Sequence, residues 1–162
     1  MYEYARYRVV TAGELTAALD DDTPGHALAA LVNDPDAAGQ ELDLANTFSA
    51  LAYLLAGPQG DLEDFDDPLI SAVMGHREIE PDAPTVNDPE RVRTVSEALT
   101  AFDRELLVER YDGAELDANG VAPGGFAIDP GWLGTLLTSF DKLRGLYQQA
   151  AANGSAVVVV LD

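Results

Sequence analysis

Ala156-Val157-Val158-Val159-Val160-Leu161 is an unbroken apolar run near the end of the 162-residue chain. β-Branched side chains favour a pleated backbone, and a run with no polar residue in alternate positions predicts a strand covered on both faces. Tyr4 to Val10, rich in aromatic and β-branched residues, is the second candidate strand, and the two are expected to share a sheet. Thr85-Val86, between Pro84 and Asp88, is expected to add a short edge strand. With helical patterning between the strands, the chain is expected to be α+β. A single domain over residues 1–162 would carry a small mixed sheet, including the N-terminal and C-terminal strands, packed with several helices.

The helices are marked by their punctuation. Asp67-Pro68, Asp88-Pro89 and Asp129-Pro130 each place a carboxylate where it can accept orphan helix N–H groups, followed by a ring where no N–H is missed. Thr11-Ala12-Gly13-Glu14 has the form of a capping box, and Asn119-Gly120 and Asn153-Gly154 supply residues that tolerate the left-handed backbone of a helix end. Leu44, Phe48, Leu51 and Leu55 recur at helical intervals, as do Val92, Val95, Leu99 and Phe102, and then Leu133, Leu136, Leu137, Phe140 and Tyr147. These stripes are expected to face a core. Asp20 to Gln40 is read as Asp-, Pro- and Gly-punctuated chain around one short helix near Ala27 to Val32, and Gly57 to Asp67 as a solvated loop.

Charge is the main clue to function. The chain has 29 Asp and Glu against nine Lys and Arg, with Lys142 the single lysine, for a formal net charge of −20. Such a field repels nucleic-acid phosphates and anionic membranes and favours basic partners, so neither nucleic acid nor membrane is expected as a partner. The absence of cysteine excludes disulfides and thiolate zinc sites and suits a reducing compartment. The start, MYEYARYRVV, has no apolar run behind a basic flank, and no segment approaches the ~20 apolar residues of a membrane span, so a cytoplasmic location is expected.

Several residues together carry a resemblance. Leu42-Asp43-Leu44 through Phe48, Ala50-Leu51, Tyr53-Leu54-Leu55 and Gly57 resemble the signature helix of the YfbM-like family (domain of unknown function 1877), a family of small bacterial proteins whose activity is not established. Pro68-Leu69, Ala72-Val73-Met74-Gly75 and Ile79 resemble its second motif, and Asp88-Pro89-Glu90-Arg91-Val92 sits where the family opens a middle helix after a short strand. The Tyr111-Asp112, Leu116, Gly120-Val121 and Pro123 spacing, the long last helix and the strand from Gly154 to Asp162 extend the match over nearly the whole chain. The resemblance implies a fold more than an activity. Where relatives carry Asp, Lys, Trp and His in the signature helix, this chain has Ala45, Asn46, Phe48, Ser49 and Ala52, which suits a helix that packs.

Catalytic chemistry finds few parts. The two histidines, His26 and His76, have no second histidine at i+3 or i+4, no nucleophile elbow or phosphate-binding glycine motif occurs, and Pro123-Gly124-Gly125-Phe126 reads as a turn. The run Asp61-Leu62-Glu63-Asp64-Phe65-Asp66-Asp67 fails the calcium-loop pattern, with Phe65 at position five, Asp66 where the turn glycine belongs and no closing Glu at position twelve. No catalytic residue, metal or cofactor is therefore assigned.

The expected function is that of a non-catalytic acidic binding protein. Asp61, Glu63, Asp64, Asp66 and Asp67 would form a surface for a basic protein partner, as in an immunity or antitoxin-like inhibitor, where opposite charge speeds association. A non-catalytic accessory or small-ligand binding module, whose charge is only background from genome bias or adaptation to salt, is the alternative, and an enzyme of unrecognised type ranks third.

Overall fold

The computed structural model describes residues 2–162, and among them the chain forms eight helices and five strands. The strands are β1 (Ala5–Val10), β2 (Glu41–Ala45), β3 (Arg77–Glu78), β4 (Thr85–Asn87) and β5 (Ala156–Leu161). They make one sheet in the order β2-β1-β5-β4-β3. All pairings are antiparallel, so the sheet is not mixed as expected. β3 and β4 are joined by a short hairpin, which fixes them antiparallel, and the chain's two ends, β1 and β5, lie side by side from Ala5 opposite Leu161 to Val10 opposite Ala156.

β5 is the centre strand, and its two-residue period divides the molecule. Val157 and Val159 enter one buried cluster, while Ala156, Val158 and Val160 enter another on the opposite face. The first cluster is large and is built with α3 (Phe48–Ala56), α4 (Pro68–Met74), α5 (Pro89–Ala101) and the 21-residue α8 (Trp132–Ala152). The second is covered by α1 (Ala12–Leu19) and α2 (Pro24–Asn33). The expected two-sided burial of the terminal run therefore follows from helices on both faces of the sheet.

The capping signals largely hold. Thr11 and Glu14 complete a capping box on α1; Asp67 caps α4 and Asp88 caps α5, these two with proline at the first turn. Asn119 ends α7 (Gly113–Ala118) and Asn153 ends α8, each followed by a glycine at positive φ. Asp129 departs from expectation. Its carboxylate accepts the Gly131 N–H within a turn, and α8 opens only at Trp132. α6 (Glu105–Arg110) was not anticipated, and of α7 only the Asn119-Gly120 end was.

Two further corrections concern strands. Thr85-Val86 lies in β4, which is interior because the two-residue β3 occupies the edge beyond it. Leu44 is not the first residue of a helical stripe but part of β2, which alternates exposed Glu41 and Asp43 with buried Leu42 and Leu44. The chain then turns through Ala45, at φ 48°, and Thr47, whose N–H and hydroxyl both donate to the Leu44 carbonyl, before α3 begins at Phe48.

The end of α4 is satisfied from outside the helix. The last carbonyls of a helix have no partner within it. Here Asn87 Nδ2 donates to the Ser71 carbonyl (2.8 Å), the Tyr147 hydroxyl to Ala72 (2.8 Å), the Tyr7 hydroxyl to Val73 (2.6 Å) and Thr85 Oγ1 to Met74 (2.7 Å). Four consecutive carbonyls are thus met by side chains from β1, β4 and α8. These contacts fix α4 on the sheet and, with it, the acidic loop that precedes it.

Candidate functional site

The acidic loop begins where α3 stops. Gly57, at φ 77°, ends the helix, and the chain runs through a series of turns to Asp67. Short Asp side chains hydrogen-bond the backbone two residues on, which stiffens a turn without a partner from elsewhere. Asp61 Oδ1 accepts the Glu63 N–H (2.8 Å) and Asp64 Oδ1 accepts the Asp66 N–H (3.2 Å). The guanidinium of Arg91, one turn into α5, donates to the carbonyls of Asp66 (2.6 Å) and Phe65 (3.2 Å) and to the Ser71 hydroxyl. The loop is therefore held by its own turns and by Arg91.

The five expected site residues divide. Asp61, Glu63, Asp64 and Asp66 are exposed, with the exposed apolar side chains of Leu62 and Phe65 between them. Asp66 Oδ1 lies 3.1 Å from His76 Nε2. Asp67 does not belong to this surface: its carboxylate accepts the Leu69 N–H (2.9 Å) as the cap of α4, so its charge is committed to the helix end.

Beside the loop is a groove of about 170 Å³. The rings of Tyr2 and Phe65 and the Met74 side chain supply apolar wall, and His76, Glu78 and Asp82 supply polar groups. Aromatic faces and carboxylates at one site suit a cationic side chain, which gains from both. Tyr2, Glu78 and Asp82 had not been singled out from sequence, and the anchor Arg91 only as part of the middle-helix motif. The clustering of acids was visible there, but the β3–β4 hairpin that brings Glu78 and Asp82 to the loop was not.

The remaining motifs have structural roles. Asp117 accepts the Phe126 (3.1 Å) and Ala127 (2.9 Å) N–H groups, which makes Pro123 to Phe126 a turn pinned to α7. The Ala127 N–H above all, with that of Phe126, holds the Asp117 carboxyl below its usual range. His26 is exposed on α2. Among the described residues no three His, Asp or Glu side chains gather closely enough to hold a metal ion. No helix among them is long and apolar enough to cross a membrane.

Comparison with known proteins places this fold. No curated protein matches the chain. A solved structure, described as a protein of unknown function, YfbM, from Escherichia coli, superposes with a TM-score of 0.75 at 17% sequence identity, covering 98% of this chain and 99% of that one. At that identity the likeness shows a shared fold. The model of the family described as a domain of unknown function, DUF1877, matches residues 1–160. The chain therefore belongs to the YfbM-like family that this model defines.

Proposed function

We propose that the protein is a non-catalytic binding protein whose loop from Asp61 to Asp66 receives a basic segment of a protein partner, in the manner of an immunity or antitoxin-like inhibitor. The observation that carries this reading is the pre-formed loop: four exposed carboxylates surround two exposed apolar side chains on a backbone fixed by Arg91 and its own turns. Apolar anchors within a charged rim are the usual anatomy of a recognition surface. A loop ordered in advance loses little entropy on binding. The −20 field would steer a basic partner toward the molecule, and the groove at Phe65 offers a place for one of its Lys or Arg side chains.

The test is a variant carrying Asp61→Asn, Glu63→Gln, Asp64→Asn and Asp66→Asn. Asn retains the side-chain oxygen that accepts the turn N–H, so the loop geometry is kept while its charge is removed. Asp67 is left intact as a helix cap. With a partner captured at low salt, association with the variant should be several-fold slower and less dependent on salt, while the melting temperature is unchanged or higher. Association indifferent both to salt and to these four substitutions would refute the proposal.

A further inference from the structure

A second cleft, of about 360 Å³, opens between the end of α3 and the corner joining α6 to α7, and it shares no lining residue with the groove at the loop. Arg110, the last residue of α6, reaches across Gly57, where a Cβ would come within 3.0 Å of its Cζ. Its Nη1 donates to the Leu54 (2.8 Å) and Leu55 (3.2 Å) carbonyls at the end of α3. The guanidinium also lies over the Phe102 ring, 5.6 Å from its centroid. The arginine is thus fixed from behind, and among the described residues Nε and Nη2 meet no acceptor and no carboxylate lies within ion-pairing distance. This is unexpected in so acidic a chain, because Glu109, Asp112 and Glu115 line the same cleft.

The chain itself shows what that open edge can hold. Arg104 uses Nε and Nη2 to grip both oxygens of the Asp141 carboxylate, each at 3.0 Å. Parallel N–H groups on one edge match a planar carboxylate, which a point charge does not. Asp112 is committed to capping α7 through the Glu115 N–H, which leaves Glu109 and Glu115 as the cleft's other anions, neither in an ion pair among the described residues and Glu115 accepting only a long hydrogen bond from the Tyr53 hydroxyl. Tyr53, whose hydroxyl is 3.5 Å from Glu115 Oε1, and Tyr111 contribute aromatic wall. The lining therefore offers one carboxylate receptor and two cation receptors flanked by rings.

We propose that this cleft binds a small basic zwitterion, a free amino acid of the arginine or lysine class, with its carboxylate on the Nε–Nη2 edge of Arg110 and its cationic groups against Glu109, Glu115 and the tyrosine rings. A simple anion would meet Arg110 but also the net negative lining. An amine without a carboxylate would leave the arginine edge empty.

The experiment titrates the full-length protein with L-arginine at low salt, followed by calorimetry and by amide chemical shifts at Gly57, Tyr111 and Asp112. Saturable binding is expected, with agmatine, which lacks the carboxylate, weaker by about tenfold or more. Arg110→Lys keeps the charge but loses the fork, so it should erase the preference for arginine over agmatine. Glu115→Gln should weaken both ligands. The unfolding midpoint of each variant establishes that it is folded, and the four-residue loop variant should bind arginine as the unmodified protein does, which separates this site from the loop. No saturation up to about 10 mM would overturn the proposal. So would equal binding of arginine and agmatine, or shifts confined to the acidic loop.

Discussion

Tyr7, Asn87 and Tyr147 show how much of this fold rests on individual hydroxyl and amide groups. Tyr147 is fully buried, donates to the Ala72 carbonyl and accepts from Asn87. Tyr147→Phe keeps the ring and leaves that carbonyl without its donor, which costs about 1–3 kcal/mol for a buried group. In urea unfolding the variant should lose stability by that amount, and a loss indistinguishable from zero would show that the carbonyl finds another partner. Burial pushes the phenols of both Tyr7 and Tyr147 well above the usual range, because the charged form is disfavoured away from water. A raised folded-state pKa means that the stabilisation is complete below the unfolded value near 10 and is lost as pH rises through the folded one. Stability should therefore fall above about pH 10, by about 1.4 kcal/mol per pH unit for each such phenol, and Tyr147→Phe should remove one phenol's share of that slope. From sequence, Tyr7 and Tyr147 read only as apolar members of a strand and a helix. Nothing in their spacing joins them to Val73 or Ala72, since the contacts span 66 and 75 residues for the two hydroxyls.

At the scale of elements, local chemistry made most boundaries legible: capping carboxylates before proline, Asn-Gly ends, and the two terminal strands. Beside Asp129, α6 and the interior place of β4, the departure with the clearest physical cause is Glu41 to Phe48. Leu44 and Phe48 stand four apart, the helical interval, yet Glu41-Leu42-Asp43-Leu44 alternates with the period of a half-buried strand, and β1 is there to pair with it. Pairing and burial overrode the helical spacing, and Ala45 at φ 48° absorbs the change of direction. An L-residue in that region costs about 1–2 kcal/mol, whereas glycine adopts it freely but loses about 0.5–1 kcal/mol in chain entropy. Ala45→Gly should therefore be neutral or stabilise by up to about 1.5 kcal/mol. Ala52→Gly, within α3 and buried, should cost at least about 1 kcal/mol through helix propensity alone. Chemical denaturation of the two variants compares them directly, and a destabilised Ala45→Gly protein would contradict the strand-turn-helix assignment. The candidate site was legible to the same degree. The acidic loop stands out in the sequence, and Asp67-Pro68 is legible there as a helix cap, so counting Asp67 with the binding surface set two readings of one carboxylate against each other; the groove residues Glu78 and Asp82 depend on a two-residue strand too short to announce itself.

For the molecule as a whole, the balance of charge decides how it answers to salt. Among the described residues only Glu41, Asp66, Asp141 and Asp162 have a cationic side chain or histidine within 4.0 Å. Such surface pairs are worth about 0–1 kcal/mol each, and salt weakens them. Against them stands the mutual repulsion of the other carboxylates in a chain of net charge −20, which acts over longer distances and which salt also weakens. The screening length falls from about 30 Å at 0.01 M to about 8 Å at 0.15 M, so the long-range repulsion is lost before the contacts are. Folding gathers the carboxylates into a smaller volume, and the unfolded chain relieves their repulsion. Adding sodium chloride across that range should therefore raise the melting temperature, and potassium chloride should act equally, because the effect is screening and not ion binding. The loop variant, with four fewer negative charges, should start from a higher melting temperature at low salt and gain less on adding salt. A melting temperature that falls with salt, or a loop variant that gains as much as the unmodified protein, would mean that the local pairs outweigh the long-range field.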